Sequence, residues 1–252
     1  MLKTRIIPTL LYRDFGLVKG MKFDSRRAVG SPMQAIKVYN LRSVDELVFL
    51  DVTATQQGRG PDFGLIDDLA DDCFMPLAVG GGVRTADDVE KLLQVGADKV
   101  VVNTAVVEDP SILGDMAQRF GSQCIVVSID TKLDHAKRSK VWTRSGTVAT
   151  PWDPVRLARE VEELGAGEIL LTSIDRDGTM EGYDLETLRS VSSEVSIPVI
   201  ASGGAGTYDD MRAAIQDGLA SAVAAASMFH FTEQTPLEAK LYLDRSGIPV
   251  RI

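Results

Sequence analysis

An internal repeat restricts the fold of this chain more than any other feature. Pro76-Leu-Ala-Val-Gly-Gly-Gly82 lines up with Pro198-Val-Ile-Ala-Ser-Gly-Gly204 at an offset of 122. The same offset carries Asp87-Asp88 onto Asp209-Asp210, Gly96 onto Gly218, and Glu46-Leu-Val-Phe onto Glu168-Ile-Leu-Leu. An offset of 119 aligns Ile6-Ile-Pro-Thr-Leu-Leu11 with Ile125-Val-Val-Ser-Ile-Asp130. Two similar halves, each of four β-strand–α-helix units, account for all of these matches in order.

Runs rich in β-branched residues predict strands over 5–10, 46–52, 76–80, 99–103, 124–130, 168–174, 199–202 and 222–226, with amphipathic stretches between them. Eight such runs alternating with helices imply an α/β fold with a parallel sheet, and the count favours closure. A doubly wound open sheet is the alternative. The expectation is therefore a (βα)₈ TIM barrel built from two duplicated half-barrels, one domain over residues 1–252. That length is usual for such a barrel and is enough for a full core.

The formal charge of −9 argues against a nucleic-acid partner, which needs a clustered basic face. Local basic patches that hold phosphate stay open. Cys73 and Cys124 stand in no metal-ligand spacing and fall in apolar runs, so they read as small buried hydrophobes. The start, Met1-Leu2-Lys3-Thr4-Arg5, has no signal-peptide apolar region, and no apolar run approaches the roughly 18 residues of a membrane span. A cytoplasmic protein without membrane partner, cofactor or metal is expected.

Glycines directly after a strand let the backbone approach an anion, and a following helix N-terminus adds partial positive charge. Gly80-Gly81-Gly82 and Gly203-Gly204 supply this twice, with Asn103-Thr104 and Ala226-Ser227 at the next strand ends. One phosphate cradle after strands seven and eight is common in barrels. A second, related by the repeat, points to a ligand with phosphate at both ends, although a lone Gly-Gly is more often a turn.

Carboxylates at strand ends are the acid–base candidates: Asp51, Asp130, Asp175 and Asp177. Some of them are equally suited to capping a helix or bonding a loop amide. Asp177 reads evenly as a loop organiser. Asp130 ends an apolar run, where an unpaired carboxylate is costly, and this favours function. Lys19 reads either as a mobile cation closing over the mouth or as a solvated loop lysine. At the opposite end, Arg5, Glu46, Lys99 and Glu168 begin strands one, two, four and six. Strand starts converge on a barrel axis, so these residues suit a stabilising ring of ion pairs or a gate across the barrel bottom.

The chain resembles the cyclase subunit of imidazole glycerol phosphate synthase over nearly its whole length. The matching stretches include Arg5-Ile-Ile-Pro8, Val18-Lys-Gly20, Asp45-Glu-Leu-Val-Phe-Leu-Asp51, Val79-Gly-Gly-Gly82 and Phe120-Gly-Ser-Gln123. The most specific is the run from Gly165 to Thr179, containing Leu-Leu-Thr-Ser-Ile-Asp-Arg-Asp-Gly-Thr179; Ala201-Ser-Gly-Gly-Ala-Gly206 and Ser227-Met-Phe-His-Phe231 follow. The resemblance implies a glutaminase partner, forming a heterodimer, that docks on the amino face and releases ammonia into the barrel. It makes Arg5, Glu46, Lys99 and Glu168 the gate and puts Asp98 at the partner interface. It also implies ligand contacts by Lys19, Asp51, Gly82, Asn103, Thr104, Thr172, Asp177, Gly178, Ser202, Gly203, Gly204, Ala226 and Ser227.

One departure limits that transfer. The family pairs an aspartate at the end of strand one with another at the end of strand five. Asp130 supplies the second, but Leu11 occupies the first position and cannot carry a proton. Asp14 is three residues further, roughly 10 Å along an extended chain. Lys22 stands where the family usually has asparagine, and Ser31 where aspartate is usual. This pattern resembles a paralogous branch whose barrels work with a glutaminase in amidation of surface-polysaccharide sugars, a separate ligase doing the chemistry. The expectation is thus an ammonia-channelling subunit with weak or absent cyclase activity. A true cyclase of histidine biosynthesis is the alternative, and a stand-alone phosphosugar isomerase a more distant one.

Overall fold

The computed structural model describes residues 3–14, 16–42 and 44–252, with Ser25 and Arg26 described by backbone alone; Met1 and Leu2, the start of the stretch read above for a signal segment, lie outside the described residues. The first half runs β1 (Arg5–Arg13), β2 (Gly16–Met21), β3 (Asp24–Gly30), α1 (Pro32–Leu41), β4 (Leu47–Asp51), α2 (Phe63–Asp71), β5 (Leu77–Gly80), α3 (Ala86–Gln94), β6 (Lys99–Val102), α4 (Thr104–Glu108) and α5 (Ile112–Phe120). The second half runs β7 (Ile125–Leu133), β8 (Ser139–Thr143), β9 (Val148–Ala149), α6 (Pro154–Glu163), β10 (Glu168–Ser173), α7 (Leu185–Ser192), β11 (Val199–Ser202), α8 (Tyr208–Gln216), β12 (Ala222–Ala225), α9 (Ser227–Phe231) and α10 (Pro236–Arg245).

Eight strands pair in parallel in the order β1, β4, β5, β6, β7, β10, β11, β12, and β12 returns to β1. The sheet is closed, which confirms the TIM barrel and removes the open-sheet alternative. Alternation along each strand sorts its side chains into two apolar sets. Ile7, Val48, Ala78, Val101, Val126, Leu170, Ile200, Ala222 and Ala224 fill the barrel interior. Their neighbours, such as Ile6, Leu10, Leu47 and Phe49, pack outward against the helices.

The repeat is visible in the helix starts. Asp62 caps α2 by accepting from Leu65 N, and Asp184, 122 residues on, caps α7 by accepting from Thr187 N. Thr85 with Asp88 and Thr207 with Asp210 form the same reciprocal capping box on α3 and α8. Such boxes satisfy amides that a helix end otherwise leaves open. Asp87-Asp88 and Asp209-Asp210 align because the same helix begins the same way in both halves.

Two features depart from the expected elements. β1 and β7 extend three residues past their expected ends, because each turns into an antiparallel excursion at the carboxyl face. β1 pairs with β2 and β2 with β3, while β7 pairs with β8 and β8 with β9. These added strands carry mixed polar residues with no clean two-residue alternation, which hid them. The cysteines are also not core residues: both are half-buried, Cys73 following α2 and Cys124 closing a 3₁₀ turn before β7. Each lies where the chain passes from a helical segment into the next strand, at the edge of the packing rather than inside it.

The closing helix is fastened to the amino end of the barrel by a buried charge pair. Lys240 Nζ on α10 lies 2.8 Å from Asp45 Oδ1, with the two side chains 3% and 4% exposed. Asp45 Oδ2 also accepts from Ile6 N at 2.9 Å. Removing one partner of a buried pair leaves an uncompensated charge and typically costs about 3–5 kcal/mol. Lys240→Met is therefore expected to destabilise the protein by about 3 kcal/mol or more in urea unfolding, whereas the exposed Lys37→Met stays within about 0.5 kcal/mol of wild type.

Candidate functional site

Inward side chains at the carboxyl ends of the strands converge on a cavity of about 130 Å³. One water needs roughly 10–15 Å³ on the same measure, so the mouth has room for a small organic ligand. Its walls include Leu11 from β1, Asp51 from β4, Asp130 from β7, Thr172 from β10 and Ser202 from β11.

Asp130 is buried and held from two sides. Ser128, two residues earlier on the same strand face, donates its hydroxyl to Oδ1 at 3.2 Å. Asn103 Nδ2 donates to Oδ2 at 3.1 Å and to the Ser128 carbonyl at 2.9 Å. Burial pushes the Asp130 carboxyl up to about 7; the nearby Asp177 adds to the rise, and the bonds from Ser128 and Asn103 oppose it. Leu11 lines the same cavity and contributes apolar surface in place of a second carboxylate. Asp14 does not replace it. Its backbone is left-handed (φ 56°), and its exposed carboxylate faces Arg13 Nε at 3.3 Å, away from the cavity walls.

Lys19 is not a solvated loop lysine: it is 2% exposed, and its Nζ donates to the Thr9 carbonyl at 2.7 Å. Because β2 folds back antiparallel on β1, the side chain is carried inward rather than to solvent. Burial lowers its ammonium to about 7, with Asp177 opposing the fall. Asp177 lines the cavity and its carbonyl accepts from Lys22 N at 2.8 Å, so its backbone also pins the first hairpin. Asp51 is committed to its loop, Oδ1 accepting from Thr53 N, Thr53 Oγ1 and Ala54 N and Oδ2 pairing with Arg59 at 3.0 Å. Asp175 accepts from Leu133 N at 2.9 Å, a loop bond rather than an acid–base position.

The two expected cradles have matching geometry. Gly82, Asn103 and Thr104 line one side of the cavity; Gly178, Gly203, Gly204, Ala226 and Ser227 line the other. Gly82 has φ 76° and Gly204 φ 112°, and a Cβ at either would lie 2.7 Å from the Arg59 carbonyl or 2.2 Å from the Gly182 carbonyl. Only glycine fits both the dihedral and the space. Asn103 and Ala226, which precede α4 and α9, share a φ near −126° (−126° and −127°), and neither helix start is capped by a side chain. Among the described residues, no group of three or more His, Cys, Asp or Glu side chains is arranged to hold a metal.

At the amino end the four charged strand starts meet. Arg5 contacts Glu46 at 2.5 Å and Glu168 at 3.1 Å; Lys99 contacts Glu46 at 2.9 Å and Glu168 at 3.0 Å. The ion pairs thus form a closed four-member circuit directly below the interior apolar set. Glu46 is 2% exposed and its Oε1 has no bonding partner among the described residues. Asp98, next to Lys99, is exposed on this face and accepts from Leu77 N at 2.8 Å. Sequence reasoning placed Asn103 only at a phosphate and passed over Ser128. The alternation of β7 puts Ser128 and Asp130 on one face, a signal that was present.

The raised Asp130 value has a defined sign in stability. An ordinary aspartate ionises near 3.9 when unfolded. Between about pH 4 and 7 the unfolded chain releases this proton while the folded chain keeps it, so the fold loses stability as pH rises. Asp130→Asn removes that penalty. In urea unfolding the variant is expected to match wild type near pH 4 and to exceed it by about 3 kcal/mol at pH 8. An unchanged difference across that range contradicts the buried-carboxylate description.

A family model described as "Histidine biosynthesis protein" matches residues 5–235 of the 252. The match takes in every barrel strand, both glycine cradles, Asp130 and the four members of the ion-pair ring, and it fits the resemblance to the cyclase-subunit family. The chain belongs to the histidine biosynthesis protein family.

Proposed function

We propose that this protein is the ammonia-receiving barrel of a glutamine amidotransferase complex, acting in amidation of surface-polysaccharide sugars. One observation carries the reading: a closed ion-pair ring stands under an apolar interior, while the mouth above keeps Asp130 opposite a leucine. A strand-start ring of this kind is a costly stability device, since each charge must be desolvated. It suits a gate better. Neutral ammonia crosses an apolar lining at the cost of its hydrogen bonds, a few kcal/mol, whereas an ion faces a far larger penalty. Swinging Lys99 off Glu46 and Glu168 opens the bottom without moving a strand.

The partner in this reading is a glutaminase on the amino face. That face presents Asp98 and two exposed apolar side chains, Leu41 and Phe74, at 88% and 84% exposure. The ligand is a bisphosphate spanning the two cradles, and a separate ligase takes the nitrogen. Lys99→Met is expected to leave the fold and glutaminase binding intact while changing glutamine hydrolysis in the complex several-fold; co-purification and a glutamate-release assay measure both. A chain that neither binds nor activates any glutaminase of its source cell removes the basis of this reading.

A second reading, a working cyclase of histidine biosynthesis, is favoured by the Asp130 environment. A carboxyl near 7, oriented by Asn103 and Ser128, is matched to proton transfer at neutral pH. With Leu11 across the cavity from it, one of two proton transfers has no side chain to assist it. A positioned acid–base group contributes roughly 10²–10⁴-fold. Leu11→Asp is therefore expected to raise ammonium-dependent turnover of the family's ribulosyl substrate by about 10² or more. Wild-type turnover near the ~1 s⁻¹ at the low end of ordinary enzymes makes the cyclase reading the correct one.

A further inference from the structure

The two cradles match in backbone and differ in one side chain. Asn103 follows β6, which pairs with β7; Ala226 follows β12, which pairs with β1. The repeat therefore sets Asn103 beside the strand that carries Asp130, and Ala226 beside the strand that carries Leu11. A cradle of this shape needs no amide, since the second has alanine there, so the Asn103 side chain has another task. Both of its N–H groups are spent within the protein: Nδ2 donates to Asp130 Oδ2 at 3.1 Å and to the Ser128 carbonyl at 2.9 Å. Its Oδ1 accepts from Thr104 Oγ1 at 3.1 Å, and Thr104 Oγ1 accepts in turn from Arg144 N at 3.1 Å. Arg144 is tied to Glu108 through Nε at 3.0 Å and Nη2 at 2.7 Å. One directed chain of hydrogen bonds thus runs from the tip of the second hairpin, past the cradle, to the Asp130 carboxyl.

We infer that Asn103 and Thr104 are a relay, through which an anion in the first cradle loosens Asn103 from Asp130 and holds the Asp130 proton in place. The Thr104 hydroxyl has a single proton, and a charge-assisted bond to an anion is about twice as strong as one to an amide oxygen. An anion touching Thr104 therefore captures that bond. Asn103 Oδ1 then loses the donor that fixes its amide plane, and Asn103 itself meets the anion only by giving up Asp130 or Ser128. Either way the carboxylate loses a donor, and the added negative charge acts in the same direction. Other charged groups near Asp130 are committed: Asp51 to Arg59, Lys19 to the Thr9 carbonyl and Asp175 to the Leu133 amide. On the adjoining hairpin Lys132 lies 4.9 Å over the Trp142 ring, with Lys140 opposite it on β8. Asp177 already favours the proton. Thr104 and Asn103 are thus positioning residues, and the coupling is reciprocal: the ionised carboxylate weakens the anion by the factor with which the anion favours the proton. The inference rests on the anion reading of the cradle, which both functional readings share, and not on passage of ammonia.

The test uses the full-length chain and sulfate, which keeps its double charge from about pH 4 to 9. Carboxyl NMR follows Asp130, assigned by the signal missing in Asp130→Asn, with ionic strength held constant by chloride. Saturating sulfate is expected to raise the Asp130 midpoint by about one pH unit, and sulfate affinity to fall about ten-fold as the pH passes through it. Asp130→Asn is expected to lose that pH dependence. Without sulfate, Thr104→Val is expected to show a raised midpoint already, and sulfate then moves it less than half as far. Thr104→Ser keeps the wild-type behaviour, and Thr104→Ala takes the place of valine where the unfolding midpoint shows a disturbed fold. A hydroxyl-free variant with the wild-type midpoint in the absence of sulfate overturns the inference. An equal sulfate shift with and without the hydroxyl also overturns it, since charge alone then accounts for the effect. Sulfate bound to wild type with Asp130 unmoved overturns the relay and leaves the cradle standing; absence of sulfate binding removes both.

Discussion

Closure of eight parallel strands is the constraint on which everything else in this molecule depends. Once the sheet returns from β12 to β1, every second side chain must point into a shared interior. Nine of those positions are aliphatic and buried, so the middle of the barrel is lined by apolar side chains. Polar groups are displaced to the two ends, where they meet one another rather than solvent alone. The ring of Arg5, Glu46, Lys99 and Glu168 and the cluster around Asp130 are therefore the two ends of one arrangement, separated by the same apolar layer.

The mouth is held against its own electrostatic preference. Asp130 is raised to about 7 and Lys19 lowered to about 7, each chiefly by burial. The aspartate loses the fold stability as pH rises from about 4 to 7. The lysine has the opposite window: its folded value lies below the unfolded 10.4, so stability is lost as pH falls from about 10 to 7. The two windows meet near neutral pH, where the penalties act together, and Asp177 raises both groups: it adds to the rise of the aspartate and opposes the fall of the lysine. Natural chains break local rules of this kind mainly at functional sites. Leu11, on the far side of the same cavity, supplies neither a counter-charge nor a hydrogen bond there.

The architecture was legible because it is periodic. A 122-residue repeat, eight β-rich runs and glycines after strands three and seven are patterns that survive in one dimension. The ring was legible too, since strand starts converge in any closed barrel. What escaped depends on chain reversal. Lys19 looked like a loop residue until β2 folded onto β1 and turned its amine toward the Thr9 carbonyl. Cys73 and Cys124 looked apolar by their neighbours and proved half-buried by their turns. Asn103 looked like a phosphate contact and also orients Asp130, a pairing between β6 and β7 that no linear spacing shows.

Net charge was the least informative number in the sequence. A total of −9 excludes a broadly basic protein but says nothing of how charge is placed. The two hairpins that carry the excess of Lys and Arg arise from β1 and β7, the first strand of each half, so the repeat itself sets them on opposite sides of the mouth. The amino-end ring is electrically neutral, two cations against two carboxylates, and so exerts little pull on a charged surface at a distance. At physiological ionic strength charges are felt over only about 8 Å. Within that reach only the immediate surface counts: exposed Leu41 and Phe74 and a closed ring at the amino end, an open cavity flanked by the two hairpins at the carboxyl end, with the apolar interior between them.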